Sequence, residues 1–201
     1  MGQLPYWNHN AAYYPWIRKH LSDCRSVLDV GCGDGSLALY LDDGTRKIVG
    51  IDPDGDCIAR ASRKAGGDKL EFIRCGFEAY PGGRLFDAVV FAASVHHMDM
   101  RQALIKAKTL LAPGGRLLIV GLARPSTAAD YCLEAARVIP SRVVSALHRM
   151  QSSEALHIPT SYSFPRMAEI RGIVSSELPG ARLRYGLHYR YLLAWVSPQA
   201  R

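Results

Sequence analysis

The residues of this 201-residue chain that could carry chemistry begin with three glycines and an aspartate. Gly31, Gly33 and Gly35 follow the apolar run Ser26–Val30, and Asp52 closes the next apolar run. Glycines in such a loop permit positive φ angles and let a ligand lie against bare backbone, while the helix that follows offers unpaired N–H groups. At the edge of a parallel sheet, Asp52 would lie beside the loop and accept from both hydroxyls of a ribose. The spacing therefore predicts a site for a nucleoside-like ligand.

Two adjacent histidines form the second chemically capable group. His96 and His97 follow the fourth apolar run, Ala88–Ala92, and would lie at the same edge of the sheet. An imidazole titrates near neutral pH and can remove a proton from an acceptor hydroxyl. One hypothesis is that a histidine of this pair contacts the acceptor or acts as a base. The alternative is that both cap the following helix or bond to the backbone.

The elements that must position these residues alternate between strands and helices. Five apolar, β-branched runs predict the strands Ser26–Val30, Lys47–Ile51, Leu70–Arg74, Ala88–Ala92 and Arg116–Gly121, the last one after the turn Pro113–Gly115. Helical periodicity between them predicts Ser36–Leu41, Asp54–Lys64 and Met100–Leu111. This order predicts an α/β fold with right-handed crossovers and a parallel sheet covered on both faces.

The second half of the chain departs from that alternation. About forty residues of mostly helical pattern separate the fifth strand from a helix predicted over Phe164–Leu178. Two strands predicted over Arg182–Leu187 and Tyr189–Val196 have a short link, which requires an antiparallel pair. We therefore expect one domain over residues 1–201. Its parts would be an N-terminal lid or helix (1–21), a cofactor-binding core (22–123), a helical cap insertion (124–161), and a C-terminal helix with a strand pair (162–201).

The glycine spacing resembles motif I of the class I S-adenosylmethionine-dependent methyltransferases, D/E-x-G-x-G-x-G. It differs from the dinucleotide fingerprint because Ser36 stands at that motif's third glycine. Further segments resemble family motifs in the same order: Ile51–Pro53, Phe86–Val90 with Ser94–Met98, and Leu110–Leu117. The resemblance covers residues 16–196. It implies a Rossmann-like, doubly wound sheet of seven strands, mostly parallel with an antiparallel C-terminal pair, and an enzyme that converts S-adenosylmethionine to S-adenosylhomocysteine.

The resemblance also implies how the first loop would hold the cofactor. The segment Gly31–Gly35, which includes Cys32, would form the floor under the methionine and ribose parts. Asp29 would hold the methionine amino group, directly or through water. Ala93, at the end of the fourth strand, is expected to contact the cofactor as well.

For the adenosine part, the resemblance implies that Asp52 binds the ribose hydroxyls and that Pro53 packs against adenine. The family often places an acidic residue after the third strand, where this chain has Gly76. We therefore expect backbone groups and packing of Phe77 to hold adenine, with Glu78 as a weaker candidate.

Residues outside these motifs are the candidates for acceptor binding. The N-terminal segment with Tyr13 and Tyr14 either folds over the site as a lid or packs as a helix on the sheet edge. The cap insertion offers Arg124, Tyr131, His148 and His157 as wall residues. Arg124 is the strongest of these because it follows the fifth strand directly.

Composition argues against several classes of protein. No run approaches the roughly 20 apolar residues that cross a bilayer, and the first twenty residues lack an apolar signal core. We therefore expect a cytoplasmic protein with no membrane partner. The five cysteines are scattered without a C-x-x-C pair, and no carboxylates cluster near the two histidines. Neither observation favours a metal site.

The net charge of +7 raises the question of a nucleic-acid substrate. Residues 121–201 carry ten arginines, no lysine and five acids, with no consecutive basic run. This dispersal favours a solvated basic face, and with it a small-molecule acceptor over nucleic acid. The alternatives are an RNA or protein methyltransferase and a partner subunit that binds the cofactor without catalysis. A nicotinamide oxidoreductase is disfavoured by Ser36.

Overall fold

The computed structural model describes residues 10–124, 164–186 and 189–199. Seven strands form one sheet in the order β3-β2-β1-β4-β5-β7-β6. Their bounds are β1 (Ser26–Val30), β2 (Lys47–Asp52), β3 (Leu70–Arg74), β4 (Phe86–Ala92), β5 (Leu111–Leu122), β6 (Arg182–Tyr185) and β7 (Arg190–Val196). Strands β1 to β5 pair in parallel, and β7 runs antiparallel to both β5 and β6. The predicted fold class is confirmed.

Five α-helices accompany the sheet in the described parts of the chain: α1 (Tyr14–His20), α2 (Ser36–Leu41), α3 (Gly55–Lys64), α4 (Met100–Thr109) and α5 (Met167–Glu177). Short 3₁₀ turns lie at Ala11–Tyr13, Phe77–Ala79 and Val95–His97. Asp54 begins α3 as its N-cap, since its side chain accepts from the backbone N–H groups of Asp56 and Cys57.

Alternation along each strand divides the apolar side chains between two clusters. Leu28 and Val30 of β1 belong to a cluster with α4 and α5, whereas Val27 belongs to a cluster with α1 and α2. Helices therefore cover both faces of the sheet. The carboxyl ends of β1, β2 and β4 remain as an edge on which loops can form a site.

Strand β5 begins earlier than the sequence predicts. Phe86 pairs with Leu111 and Ala88 pairs with Arg116, so four residues bulge opposite one, at the predicted turn. Gly114 in this bulge has a φ of 75°. Our prediction that α4 extends to Leu111 is wrong, because that residue joins the sheet.

The C-terminal boundaries also differ by a few residues. Arg166 is extended and forms an isolated bridge with Arg124, so α5 starts at Met167 rather than at Phe164. Pro165 contributes to this late start because a proline disfavours helical geometry in the residue before it. Farther on, the N–H of Gly186 donates to the carbonyl of Arg190 at 2.7 Å, which closes the antiparallel pair.

A buried arginine joins elements at the opposite edge of the sheet from the glycine loop. Arg46 is 6% exposed, and its guanidinium donates to the carbonyls of Cys24, Leu41 and Leu21 at 2.9, 2.7 and 3.1 Å. Leu41 ends α2, and Leu21 is the C-cap of α1. The cation therefore links the ends of two helices through their terminal carbonyls, of which that of Leu21 also accepts from the N–H of Cys24.

Parts of the predicted domain organisation lie outside the described residues. These are residues 1–9 of the N-terminal segment and residues 125–161 of the cap insertion. Within the described ranges, no helix combines the length and apolar character that spanning a bilayer requires. The cytoplasmic location and the division into lid, core and cap stay predictions.

Candidate active site

The glycine loop is held against the end of β2 by backbone hydrogen bonds. The N–H groups of Gly31 and Cys32 both donate to the carbonyl of Ile51, at 2.8 and 3.0 Å. All three glycines have positive φ angles, of 69°, 54° and 78° in chain order. These angles are strained for any residue with a Cβ, which explains why glycine occupies each position.

The three glycines differ in what a side chain would meet. A Cβ at Gly31 would lie 2.4 Å from the Cβ of Ser94, and one at Gly35 would lie 2.8 Å from the ring of Phe72. A Cβ at Gly33 would meet no described atom within 4 Å. Gly31 and Gly35 thus allow neighbouring elements to approach, whereas the space beside Gly33 is open.

Asp52 lies at the rim of the glycine loop, where its carboxylate is hydrogen-bonded to the backbone. Its Oδ2 accepts from the N–H of Gly33 at 2.9 Å, and its Oδ1 accepts from the N–H of Asp54 at 2.9 Å. Each carboxylate oxygen has a second lone pair, so the group can still accept from a ligand hydroxyl. The carboxylate predicted to bind ribose therefore lies directly beside the glycine backbone.

A cavity of about 590 Å³ opens next to this rim, and we call it the first cavity. It lies at the carboxyl ends of β1, β2, β3 and β4. Six of the ten residues predicted to contact a cofactor line it: Gly31, Asp52, Pro53, Gly76, Phe77 and Ala93. Its wall also includes Asp54, Cys75, Ser94 and Met98, which our sequence reasoning did not select.

Asp29 lies in the interior, near the loop rather than on the cavity wall. It is 1% exposed, and neither carboxylate oxygen has a hydrogen-bond partner among the described residues. Burial, with a smaller contribution from Asp52, raises the pKa of Asp29 to about 7. Burial, and Asp29 itself, also raise the pKa of the Cys32 thiol. A buried carboxyl without a donor is costly, so this position suits a cationic group of a ligand.

The residues that follow β4 are hydrogen-bonded to the chain directly before the glycine loop. Ser94 is 5% exposed, and its hydroxyl donates to the carbonyl of Val30 at 2.5 Å. The preceding Ala93 has a φ of 61°, in the left-handed region that side chains disfavour, at a cost of about 1–3 kcal/mol. Sequence reasoning missed Ser94, and the one available signal was a small polar residue directly after an apolar strand.

The two histidines line different cavities. They lie in the 3₁₀ turn after β4 with ring centroids 4.0 Å apart. His97 is exposed and lines the first cavity, whereas the half-buried His96 lines another. Burial, and then the charges of His97 and Arg190, lower the pKa of His96 to about 4. The His96 imidazole is therefore neutral at pH 7.

The cavity that His96 lines, which we call the second cavity, has a volume of about 300 Å³. It lies between the ends of β4 and β5 and the start of α5, and Met98 lines both cavities. Arg124, predicted to contact the acceptor, is on its wall. The full set of described wall residues is Val95, His96, Met98, Met100, Leu122, Arg124, Phe164, Pro165, Glu169 and Tyr191.

The two N-terminal tyrosines lie in the apolar core. Tyr13 is 8% exposed and Tyr14 is 6% exposed, and both belong to the cluster with α1 and α2. The ring of Tyr14 lies 5.5 Å from that of Tyr40. The structure thus favours the packed helix over the lid for these residues, and neither is on the described wall of either cavity. The predicted acceptor residues Tyr131, His148 and His157 lie outside the described residues.

No group of three or more His, Cys, Asp or Glu side chains is arranged around a metal position in the described ranges. Cys24, Cys32, Cys57 and Cys75 are free thiols. The site is thus a cavity beside the glycine loop and a smaller neighbour. Between them lie Met98 and the 3₁₀ turn Val95–His97, which we call the histidine turn.

Comparison with known proteins gives relatives along the whole chain. Residues 27–115 match a family model described as a methyltransferase domain. A protein of Mycobacterium bovis described as an uncharacterized methyltransferase is 31% identical over 203 aligned positions, which cover 96% of this chain and 98% of that protein.

Solved structures share the fold at low identity. Magnesium protoporphyrin IX methyltransferase from Synechocystis, with bound S-adenosylhomocysteine, aligns with a TM-score of 0.62 and 19% identity over 94% of this chain and 83% of its own. The 1,6-didemethyltoxoflavin-N1-methyltransferase from Burkholderia thailandensis aligns with a TM-score of 0.64 and 15% identity over 94% of this chain and 78% of its own. That protein holds 1,6-didemethyltoxoflavin and S-adenosylhomocysteine.

Proposed function

The chain belongs to the class I S-adenosylmethionine-dependent methyltransferases, and we propose that it methylates a small-molecule acceptor by in-line displacement. The observation that carries this proposal is the junction of Gly33, Asp52 and the first cavity. There, a carboxylate and open backbone lie together at the carboxyl ends of β1 and β2.

The residues in and beside the first cavity fit S-adenosylmethionine in three respects. Asp52 would bind the ribose hydroxyls, and the buried carboxyl of Asp29 would accept from the methionine ammonium, directly or through water. Pro53 and Phe77 offer apolar surface to adenine, and Gly76 offers backbone groups. Gly31, Cys32, Gly33, Gly35 and Ala93 would complete the predicted set by holding the loop and its neighbour in shape.

When bound, the cofactor supplies an electrophilic methyl group whose bond to sulfur breaks as an acceptor lone pair attacks. The chain's own task is alignment, since holding reactants in line can supply much of the rate enhancement. Met98 and the histidine turn lie between the two cavities and would set the approach of the acceptor.

One of the two histidines would contact the acceptor. His96 is neutral at pH 7 and can accept a proton or a hydrogen bond from a hydroxyl in the second cavity. His97 faces the first cavity and would instead bound the reacting centre from the cofactor side.

A small acceptor is supported by the size of the second cavity, which lies at the low end of the roughly 300–1,000 Å³ of ligand pockets. The two solved relatives described above are named for small-molecule substrates. An RNA or protein acceptor would need an extended binding surface. The arginines of this chain are dispersed along the sequence and form no basic run that would indicate such a surface.

Isothermal titration calorimetry with S-adenosylhomocysteine tests the cofactor site. We expect a dissociation constant of about 1–100 μM for the wild type, in the range of enzyme Michaelis constants. Asp52→Asn should weaken binding about tenfold by removing charge-assisted hydrogen bonds to ribose. Asp68→Asn, at an exposed position away from the cavity, is the matched control and should bind as the wild type does.

Two results would overturn the proposal. One is no uptake of S-adenosylhomocysteine by protein that unfolds cooperatively, and the other is tight uptake of NAD in its place. With binding established, release of S-adenosylhomocysteine in the presence of phenols, carboxylates or amines would identify the acceptor class.

A further inference from the structure

The second cavity combines an apolar wall with polar groups on several sides. Met98, Leu122 and Phe164 supply apolar surface. The ring of Tyr191 is fixed against the backbone, because a Cβ at Gly121 would lie 2.2 Å from it. Tyr191 is 1% exposed but lines the cavity. A pocket of this kind fits a compact, largely apolar molecule that is oriented by a few polar contacts.

The charges around this cavity are unbalanced. Arg124 is on its wall, and the isolated bridge places Arg166 beside Arg124 in the backbone. Arg190 is near enough to lower the pKa of His96. The one described carboxylate on the wall is that of Glu169, and its Oε2 already accepts from the N–H of Arg166 at 3.0 Å. Three arginines and one glutamate therefore lie on or near the described wall of this cavity, and Arg124 is the one of the three arginines that lines it.

The three arginines differ in how far they are already engaged. Arg190 donates from Nε and Nη2 to the side-chain oxygen of Asn10, at 3.2 and 2.5 Å. None of the ion pairs between described residues includes Arg124, which is exposed. A guanidinium at a cavity wall without an anionic partner is suited to bind a carboxylate through two parallel hydrogen bonds.

We infer that the second cavity is the acceptor site and that it selects a compact, apolar acceptor carrying an anionic group, which Arg124 binds. This inference rests on the proposed function and adds to it the chemical class of the acceptor. The anion is a recognition group. Pairing with a guanidinium draws electron density from its oxygens and makes them poorer nucleophiles, so a different atom of the acceptor receives the methyl group.

The geometry assigns the remaining contacts. With the anion at Arg124, the apolar body would lie along Leu122 and Phe164, and the nucleophilic atom would face Met98, which borders the first cavity. His96 then lies on the same wall as the acceptor and is neutral at pH 7, so it adds no second cation.

Matched pairs of fragments test the inference on the full-length protein saturated with S-adenosylhomocysteine. The probes are benzoate, 4-hydroxybenzoate, phenylacetate and hexanoate, each against its primary amide, with binding followed by ligand-observed NMR titration. We expect at least one acid to bind about tenfold or more tightly than its amide, as for a charge-assisted pair in a partly enclosed site. Arg124→Gln should remove that preference.

Arg182→Gln is the control variant, since it removes the same charge from an exposed position on β6, at the other edge of the sheet. It should keep the wild-type preference. Thermal unfolding and S-adenosylhomocysteine affinity of Arg124→Gln should equal those of the wild type, which separates a local effect from misfolding.

Two outcomes would overturn the inference. In the first, no acid in the panel binds better than its amide although S-adenosylhomocysteine binds normally, which leaves the methyltransferase proposal standing. In the second, an acid preference survives Arg124→Gln or is lost equally in Arg182→Gln. Failure of S-adenosylhomocysteine to bind would overturn the proposed function first, and the inference with it.

Discussion

The two cavities of this protein differ in the parts of the chain that form them. The first lies against a loop that backbone geometry holds in place, with glycines at positive φ angles and N–H groups fixed by Asp52 and by the carbonyl of Ile51. The second is formed by side chains from β4, β5 and α5, and its polar members are His96, Arg124, Glu169 and Tyr191.

This difference separates the cavity whose residues are constrained by backbone conformation from the cavity whose residues can vary. A backbone site tolerates few substitutions because its glycines are required by conformation and close approach. A side-chain site can change its ligand by exchanging residues while the sheet stays the same. We therefore expect the first cavity to fix the cofactor and the second to fix the acceptor, and the following experiments can break or sharpen that division.

The largest effect is expected at Gly31. Gly31→Ala combines a disfavoured φ with a Cβ placed 2.4 Å from that of Ser94, and should lower the free energy of unfolding by about 2–6 kcal/mol. Gly33→Ala meets no described atom, so it should cost about 1–3 kcal/mol of backbone strain while weakening S-adenosylhomocysteine binding. Urea denaturation and calorimetry measure both. Equal losses of stability in the two variants would contradict the distinction between packing and ligand-facing glycines.

The pH dependence of stability tests Asp29. Its pKa is raised from 3.8 to about 7 in the folded protein. The folded state therefore binds this proton more tightly than the unfolded state, and the free energy of unfolding falls as pH rises from about 4 to 7, by up to roughly 4 kcal/mol.

Asp29→Asn keeps the shape of the side chain and removes this titration. Urea denaturation at pH 4.5, 5.5, 6.5 and 7.5 should show that the difference in unfolding free energy between the variant and the wild type increases with pH. Parallel profiles would mean that a donor absent from the described residues satisfies the carboxyl. Saturating S-adenosylhomocysteine should reduce the wild-type slope, because the bound ammonium favours the ionised carboxylate.

The two histidines offer the sharpest test of the boundary between the cavities. His96→Gln should lower kcat/KM about 100-fold, at the low end for loss of a general base, and leave S-adenosylhomocysteine affinity unchanged. His97→Gln should weaken S-adenosylhomocysteine binding, because this residue lines the first cavity. Steady-state kinetics on both variants measures kcat/KM, and calorimetry measures S-adenosylhomocysteine affinity. The reverse pattern would assign the base role to His97.

The smallest effect is expected at Ser94. Ser94→Ala removes the hydroxyl that donates to the carbonyl of Val30 and should cost about 1 kcal/mol of stability. It should also weaken S-adenosylhomocysteine binding a few-fold by loosening the glycine loop. Ser197→Ala is the matched control, since that hydroxyl donates to the carbonyl of Ala112, in the bulge of β5. A similar loss of affinity in both variants would argue against a specific role for Ser94.

The sequence predicted the first cavity far better than the second. Strands β1 and β3 and helix α2 have the predicted bounds, because their apolar runs end at glycines, charges or loop residues that stop them locally. The proximity of Asp52 to Gly33 also followed from strand order alone, since parallel strands bring their carboxyl ends to one edge.

The second cavity depends on contacts that local patterns do not encode. Glu169 and Tyr191 reach it from distant parts of the chain. The separation of His96 from His97 depends on the 3₁₀ turn after β4, which points neighbouring rings to different cavities. The early start of β5 likewise reflects pairing of Leu111 with Phe86 rather than any signal in the predicted turn.

The interaction of Arg46 with three carbonyl groups has a consequence for acid unfolding. Its main acceptors, at Cys24, Leu41 and Leu21, are amide oxygens that do not titrate, so protonating the carboxylates of the chain leaves these contacts intact. We therefore expect amide protons near the ends of α1 and α2 to stay protected from exchange in the mildly acidified protein, as hydrogen-exchange measurements can check.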